Sequence, residues 1–203
     1  MDQPEYVVVG LGNPGVEYER TPHNLGFLII DHLAERNGRI RVTRPEAKAF
    51  TGLGTLNKRA VVLAKPQTFM NLSGPSVKGL LDKYTLTPAN LIVVYDEMDL
   101  PWTAVRIKKS GSAAGHNGMK SVIGALGTDD FVRVRVGIDP DPDRRSHRGP
   151  SLVLGTFKSS QAKDVEELLS YTAEAIESIL ADGVEKAMTK FNRRARGLNE
   201  EER

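Results

Sequence analysis

The chain has 203 residues, near the roughly 100–200 expected of one domain, and its 39% hydrophobic and 27% charged residues are an ordinary globular composition. That excludes disordered, collagen-like and low-complexity readings, and the lack of any cysteine excludes a disulfide framework, thiolate zinc sites and a cysteine nucleophile. The balance of 28 Lys and Arg against 26 Asp and Glu gives a formal charge of +2, too small to announce nucleic-acid binding, so the placement of basic residues must decide.

The start, Met1-Asp2-Gln3-Pro4-Glu5, is polar and acidic, unlike a signal peptide. Tyr6-Val7-Val8-Val9 then reads as a buried strand, followed by a turn over Gly10-Leu11-Gly12-Asn13-Pro14-Gly15. From Asn24 to Asn37, Phe27, Ile30, Leu33 and Ala34 recur at helical spacing, with Gly38 as a C-terminal stop. Ala60–Ala64 and Leu91–Tyr95 repeat the buried-strand pattern, and Ser76–Tyr84 between them reads as a short helix. Ala104–Lys108 and Val132–Val136 alternate apolar and basic residues, which predicts two strands whose wet faces are positive.

Asp139–Pro150, rich in proline, aspartate and arginine, reads as a surface loop. A helix over about residues 160–181 follows, with Val165, Leu168, Leu169, Ala173, Ile176 and Leu180 on one face. A short helix over Val184–Arg194 and a frayed tail over 197–203 complete the chain. Even apolar runs such as Leu91–Tyr95 fall far short of the ~18 residues of a membrane span. The expectation is one α/β domain, a three-layer sandwich whose central mixed, largely parallel sheet is flanked by helices, in the cytoplasm.

Gly10, Gly12 and Gly15 match the G-x-G-x-x-G of dinucleotide-binding units. The acidic residue expected ~20 positions on, at the end of a second strand, is replaced by Glu35 inside an amphipathic helix, and Pro14 removes an amide from the loop. The nucleotide reading is therefore set aside. Ligands of α/β sheets bind at the carboxyl ends of strands, where Asn13, Asn71 and Asp96 are all expected, on one shared rim.

Two of the four histidines open similar motifs, His23-Asn24-Leu25-Gly26 and His116-Asn117-Gly118, both where a helix can start. Helix capping by Asn24 and Asn117 is the plain reading of either pair. His32, on the first helix, reads as a packing or surface residue, and His147 as solvated. The chain has no H-E-x-x-H for zinc and no G-x-S-x-G nucleophile elbow. A histidine, a carboxylate and several carboxamides remain, a set suited to attack by water with histidine taking the proton.

The run from Val8 to Tyr18 with Thr21-Pro22-His23-Asn24-Leu25-Gly26 resembles the start of bacterial-type peptidyl-tRNA hydrolases. Lys65–Gly74, Asp96-Glu97-Met98-Asp99-Leu100-Pro101 and Gly115-His116-Asn117-Gly118-Met119-Lys120 are similar to that family's later motifs, in the same order. In motif terms the resemblance covers roughly the first 160 residues. It implies a cytoplasmic, monomeric esterase that frees tRNA from peptide without metal or cofactor, peptidyl-tRNA being its partner.

By the same resemblance His23 is the general base, Asp96 its orienting carboxylate and Asn13 the reader of the peptide. Asn71 and Asn117 match substrate-binding positions, with Asn117 also an oxyanion donor. Tyr18, Phe69 and Met70 line the cleft, plain packing being an equal reading for the last two. His116 lies near the cleft with a less settled role, and Arg106, Lys108 and Arg135 match positions that meet tRNA phosphate. Pro22 stands where the family often has arginine, Ser110-Gly111-Ser112-Ala113-Ala114-Gly115 replaces a glycine-rich stretch that in many relatives contains another histidine, and Trp102 has no reading. A catalytically silent RNA-binding relative is the alternative of a different class, opposed by the joint presence of these polar residues.

Overall fold

The computed structural model describes residues 3–140 and 150–192. Residues 141–149, most of the expected surface loop, and the tail over 197–203 lie outside them. The first valine run forms β1 (Tyr6–Gly10), and α1 (Leu25–Arg36) returns along the sheet. A hairpin of β2 (Arg44–Glu46) and β3 (Ala49–Leu56) leads into β4 (Arg59–Pro66). α2 (Ser73–Tyr84), β5 (Leu91–Pro101), β6 (Val105–Lys108), α3 (Asn117–Leu126) and β7 (Val132–Asp139) follow. The chain continues through α4 (Pro150–Leu154), α5 (Ala162–Asp182) and α6 (Val184–Phe191).

Among the described residues the strands form one seven-stranded sheet in the order β2-β3-β4-β1-β5-β7-β6. The central strands β4, β1, β5 and β7 run parallel, while β2, β3 and β6 pair antiparallel at the two edges. Alternation splits the valines of β1 between two cores. Val8 faces the layer of α1, α5 and α6 with Leu33, Ile176 and Phe191, whereas Val7 and Val9 face α2 and α3 with Leu80, Met119 and Val122. This is the expected three-layer sandwich with a mixed sheet, parallel across its four central strands.

The chain leaves β1 for β4 on one side and reaches β5 on the other, so the carboxyl ends of these strands border a topological switch point, the usual crevice of such sheets. The glycines at the end of β1 serve the approach of α1 to that crevice. A Cβ on Gly10 would lie 2.1 Å from the Gly26 carbonyl oxygen, and one on Gly12 would lie 2.7 Å from the Phe27 ring. Their G-x-G spacing is thus accounted for by strand-to-helix packing.

Two expectations about polar faces need correction. Asn24 and Asn117 do not cap helices: Asn24 makes no side-chain cap bond, and the cap of α3 is the His116 side chain, which accepts from the Met119 amide. Nor do the alternating strands share a positive wet face. Arg106 pairs with Arg135 and Lys108 with Arg133 across β6 and β7, but Arg133 is 1% exposed and Arg135 is engaged by an acid. Trp102 gains a structural role, its indole donating to Asp164 of α5 at 3.3 Å and its ring packing 5.8 Å from Phe157. His32 also bridges helices, 3.2 Å from the Ser170 hydroxyl.

Candidate active site

Pro22 fixes the entry to a one-turn 3-10 helix, Pro22–Asn24, with Thr21 extended before it as a residue preceding proline requires. This turn aims His23 at Asp96, which sits inside β5 and not beyond its end as expected, because the strand runs on past it to Pro101. Its Nδ1 lies 2.9 Å and 3.0 Å from the two carboxylate oxygens of Asp96. A proton on Nδ1 serves that carboxylate and leaves Nε2 as the basic nitrogen.

Asp96 is 1% exposed and serves a second imidazole, for His116 places Nε2 3.2 Å from Oδ1. The tautomer of His116 follows from its cap. Nδ1 accepts from the Met119 amide at 3.2 Å, so the proton sits on Nε2 and is donated to Asp96. Burial alone would push the Asp96 carboxyl up. Hydrogen bonds and charge from His116 and then His23 outweigh that and hold it well below the usual carboxylate range. The two imidazole rings stand 5.1 Å apart, and Tyr95 packs 4.8 Å from His116 on the far side.

The carboxamide of Asn13 completes this rim. Its Oδ1 accepts the Met70 amide at 2.8 Å, tying the loop after β1 to the segment after β4. Because Oδ1 is used there, Nδ2 is the group left to address a ligand, and it can only donate. Asn24 holds the same loop from behind: its Oδ1 accepts from the Asn13 amide and its Nδ2 donates to the Asn13 carbonyl, both at 2.9 Å. In the sequence Asn24 reads only as a cap. Its clamp depends on two loops meeting in space, which motif spacing does not show.

Phe69 is 61% exposed beside this link, whereas Met70 is buried. A Cβ on Gly118 would lie 2.5 Å from Met70 Sδ, so Met70 belongs to the packing under the rim. Asn71 and Asn117 are exposed, the former in the 3-10 turn Met70–Leu72 and the latter opening α3. Tyr18 is half-buried in the loop between β1 and α1, where its carbonyl accepts the Thr21 hydroxyl at 2.8 Å.

A family model described as peptidyl-tRNA hydrolase matches residues 7–200 of this chain. The chain belongs to the peptidyl-tRNA hydrolase family. A peptidyl-tRNA hydrolase of Solibacter usitatus (strain Ellin6076) is 56% identical, the match covering 97% of this chain and 99% of that protein. One from Koribacter versatilis (strain Ellin345) is 48% identical over 93% of this chain and 92% of its own length. The crystal structure of peptidyl-tRNA hydrolase from Acinetobacter baumannii superposes with a TM-score of 0.84 at 30% identity, covering 96% of this chain and 99% of that one.

Within this hydrolase family frame, His23, Asp96 and His116 also form the one cluster among the described residues whose ligand atoms could hold a metal, all within 4.8 Å. The donor chemistry is unfavourable. An ion on His116 Nε2 would need the nitrogen that carries the proton, and moving that proton to Nδ1 would set it against the Met119 amide.

The three basic residues expected at tRNA differ in surroundings. Lys108 is exposed at the β6 edge. Arg106 is half-buried and donates to the Val105 carbonyl at 3.0 Å. Arg135 is held by Glu97, with Nε at 3.0 Å and Nη2 at 2.9 Å from Oε2. No helix among the described residues is long and apolar enough to cross a membrane.

Proposed function

We propose that the chain hydrolyses the ester joining a peptide to the terminal ribose of tRNA, with His23 as general base. The observation that carries this reading is the pairing of His23 Nδ1 with both oxygens of a buried carboxylate, which leaves Nε2 as the basic nitrogen. Water attacks the ester carbonyl as Nε2 takes its proton, and the imidazolium is stabilised by Asp96. The oxyanion receives hydrogen bonds from amide donors, among which Asn117 at the start of α3 is our choice. Collapse breaks the bond to the ribose oxygen, which recovers the proton from His23.

Asn13 sets what is accepted. A donor-only Nδ2 suits the carbonyl of the peptide bond next to the ester, and a free aminoacyl-tRNA lacks that carbonyl. A site built for this acceptor is then left with an unpaired donor.

The experiment follows ester loss from N-acetylated and free aminoacyl-tRNA, with wild type and His23→Ala. Wild type should cleave the blocked substrate far faster than the free one. His23→Ala should fall by ~10²–10⁴-fold while remaining folded. Near-normal turnover by His23→Ala would remove the assignment of the base, and equal cleavage of both substrates by wild type would remove that of Asn13.

A further inference from the structure

We propose that Arg133 is a positioning residue, whose buried guanidinium latches the Gly111-Ser112 backbone and thereby fixes where His116 meets Asp96. The inference rests on the reading of His23 as the base. Arg133 lies on β7 and is 1% exposed, one of the largest fully buried side chains in the protein. Nη1 donates to the Gly111 carbonyl at 2.5 Å and to the Ser112 carbonyl at 3.1 Å, while Nη2 donates to the Asp129 carbonyl at 2.7 Å. Its guanidinium carbon stands 4.5 Å from the Phe131 ring centroid. Burial pushes its pKa down from the ordinary arginine value, a sign of the desolvation it bears.

An apolar side chain would fill this space without removing a charge from water, so packing is a poor reason for arginine here. What only the guanidinium supplies is a fork of donors that reaches two consecutive carbonyls of one loop and a third from the segment before β7. That loop joins β6 to α3. It crosses the left-handed region at Ala114 (φ 46°) and Gly115 (φ 85°), and Ser112, Ala114 and Gly115 are exposed. Local order comes from the His116 amide, which donates to the Ala113 carbonyl at 2.9 Å. Four residues beyond the latch, His116 enters the site.

The consequence at the site has a definite sign. Asp96 and His116 are titratable groups that face His23 from β5 and from the start of α3, and the buried Tyr95 of β5, itself in contact with the Arg133 guanidinium, packs against His116. If the loop is released, His116 withdraws from Asp96 and the Met119 amide loses its acceptor. The carboxylate then leans on His23 alone, which favours the imidazolium over the neutral ring.

Hydrogen exchange resolved by residue and kcat/KM against pH, on wild type, Arg133→Met and Arg133→Lys, test this. Exchange should quicken at the His116 and Met119 amides of Arg133→Met. Turnover should drop by up to about 10²-fold, the cost of a site misplaced by ~1 Å, and the ascending limb should move to higher pH. Arg133→Lys, which keeps a cation but not the fork, should fall between, and it decides the matter if the methionine variant does not fold. Wild-type protection at both amides overturns the latch, and so does an unmoved limb in a variant whose loop exchanges faster. Failure of the base itself reads out separately, as activity in His23→Ala, and the exchange measurement stands without it.

Discussion

Asp96 serves two imidazoles through one carboxylate, and the two do different work. His116 delivers a fixed proton because its other nitrogen is spent capping α3, whereas His23 keeps Nε2 available for chemistry. In Asp96→Asn the size and a hydrogen-bond acceptor persist, but the charge that favours the imidazolium is gone. The ascending limb of kcat/KM against pH should therefore move to lower pH, and turnover should decrease. Measured on one substrate for both proteins, an unmoved limb with unchanged turnover would reduce Asp96 to a structural residue. The direction is opposite to that expected for Arg133→Met, so the two profiles together separate loss of the carboxylate from loss of its second partner. His23 and Asp96 could be picked out from their motifs in the sequence. The cap by His116 could not, because histidine is no usual N-cap and asparagine stood next to it.

The β2–β3 hairpin is pinned to the end of α2 by one acid. Glu46 is buried and accepts from Lys83 at 2.6 Å, from the Tyr84 hydroxyl at 2.5 Å and from Thr51 at 2.8 Å, with Arg44 at 2.8 Å. Burial alone would raise its pKa, but the hydrogen bonds from Lys83, Tyr84 and Thr51 prevail and lower it from 4.5 to about 2. A depressed carboxyl stabilises the fold fully above its unfolded pKa, and that contribution is lost as pH falls from 4.5 toward 2. Tyr84, pushed up to about 12 by burial and by Glu46, contributes below 10 and loses its contribution as pH rises toward 12. Glu46→Gln should therefore cost about 1–3 kcal/mol near neutrality, softened by the exposure of Arg44 and Lys83, and should weaken the acid dependence of Tm. A variant with wild-type Tm at both neutral and acid pH would show that other contacts hold the hairpin. The same hairpin was invisible in the sequence, since β3 carries Gly52 and Gly54, which lower strand propensity. Their reason is tertiary: a Cβ on Gly52 would lie 2.7 Å from the Arg41 carbonyl oxygen, and one on Gly54 2.2 Å from Ile40. The valine-rich central strands needed no such knowledge, because continuous burial on both faces writes itself into composition.

At the scale of the molecule, a formal charge of +2 cannot draw in a polyanion by itself, so affinity for tRNA has to come from local arrangement. The alternation of β6 and β7 suggested a shared positive face, but the pattern of one strand does not reveal what packs over it. Arg133 is covered by the loop it binds, and Arg135 is partnered by Glu97. Lys108 is the exposed cation of the expected three, and Arg106 lies beside it on the same strand. Each phosphate contact contributes roughly 0.7–0.9 to the slope of log affinity against log salt. Replacing Arg106 and Lys108 together by alanine should flatten that slope by up to two such contacts. Arg135→Ala should flatten it less, because Glu97 already balances the guanidinium, and should instead cost stability by leaving a buried acid unpaired. Turnover of a minimal substrate that lacks most of the tRNA should be near wild type in the double variant if, as proposed, these residues hold phosphate and touch no reacting atom. The measurement is tRNA affinity at several salt concentrations for wild type, the double variant and Arg135→Ala. An unchanged slope in the double variant would place the phosphate contacts on another surface, and a larger loss for Arg135→Ala would mean that Glu97 releases the guanidinium when tRNA binds.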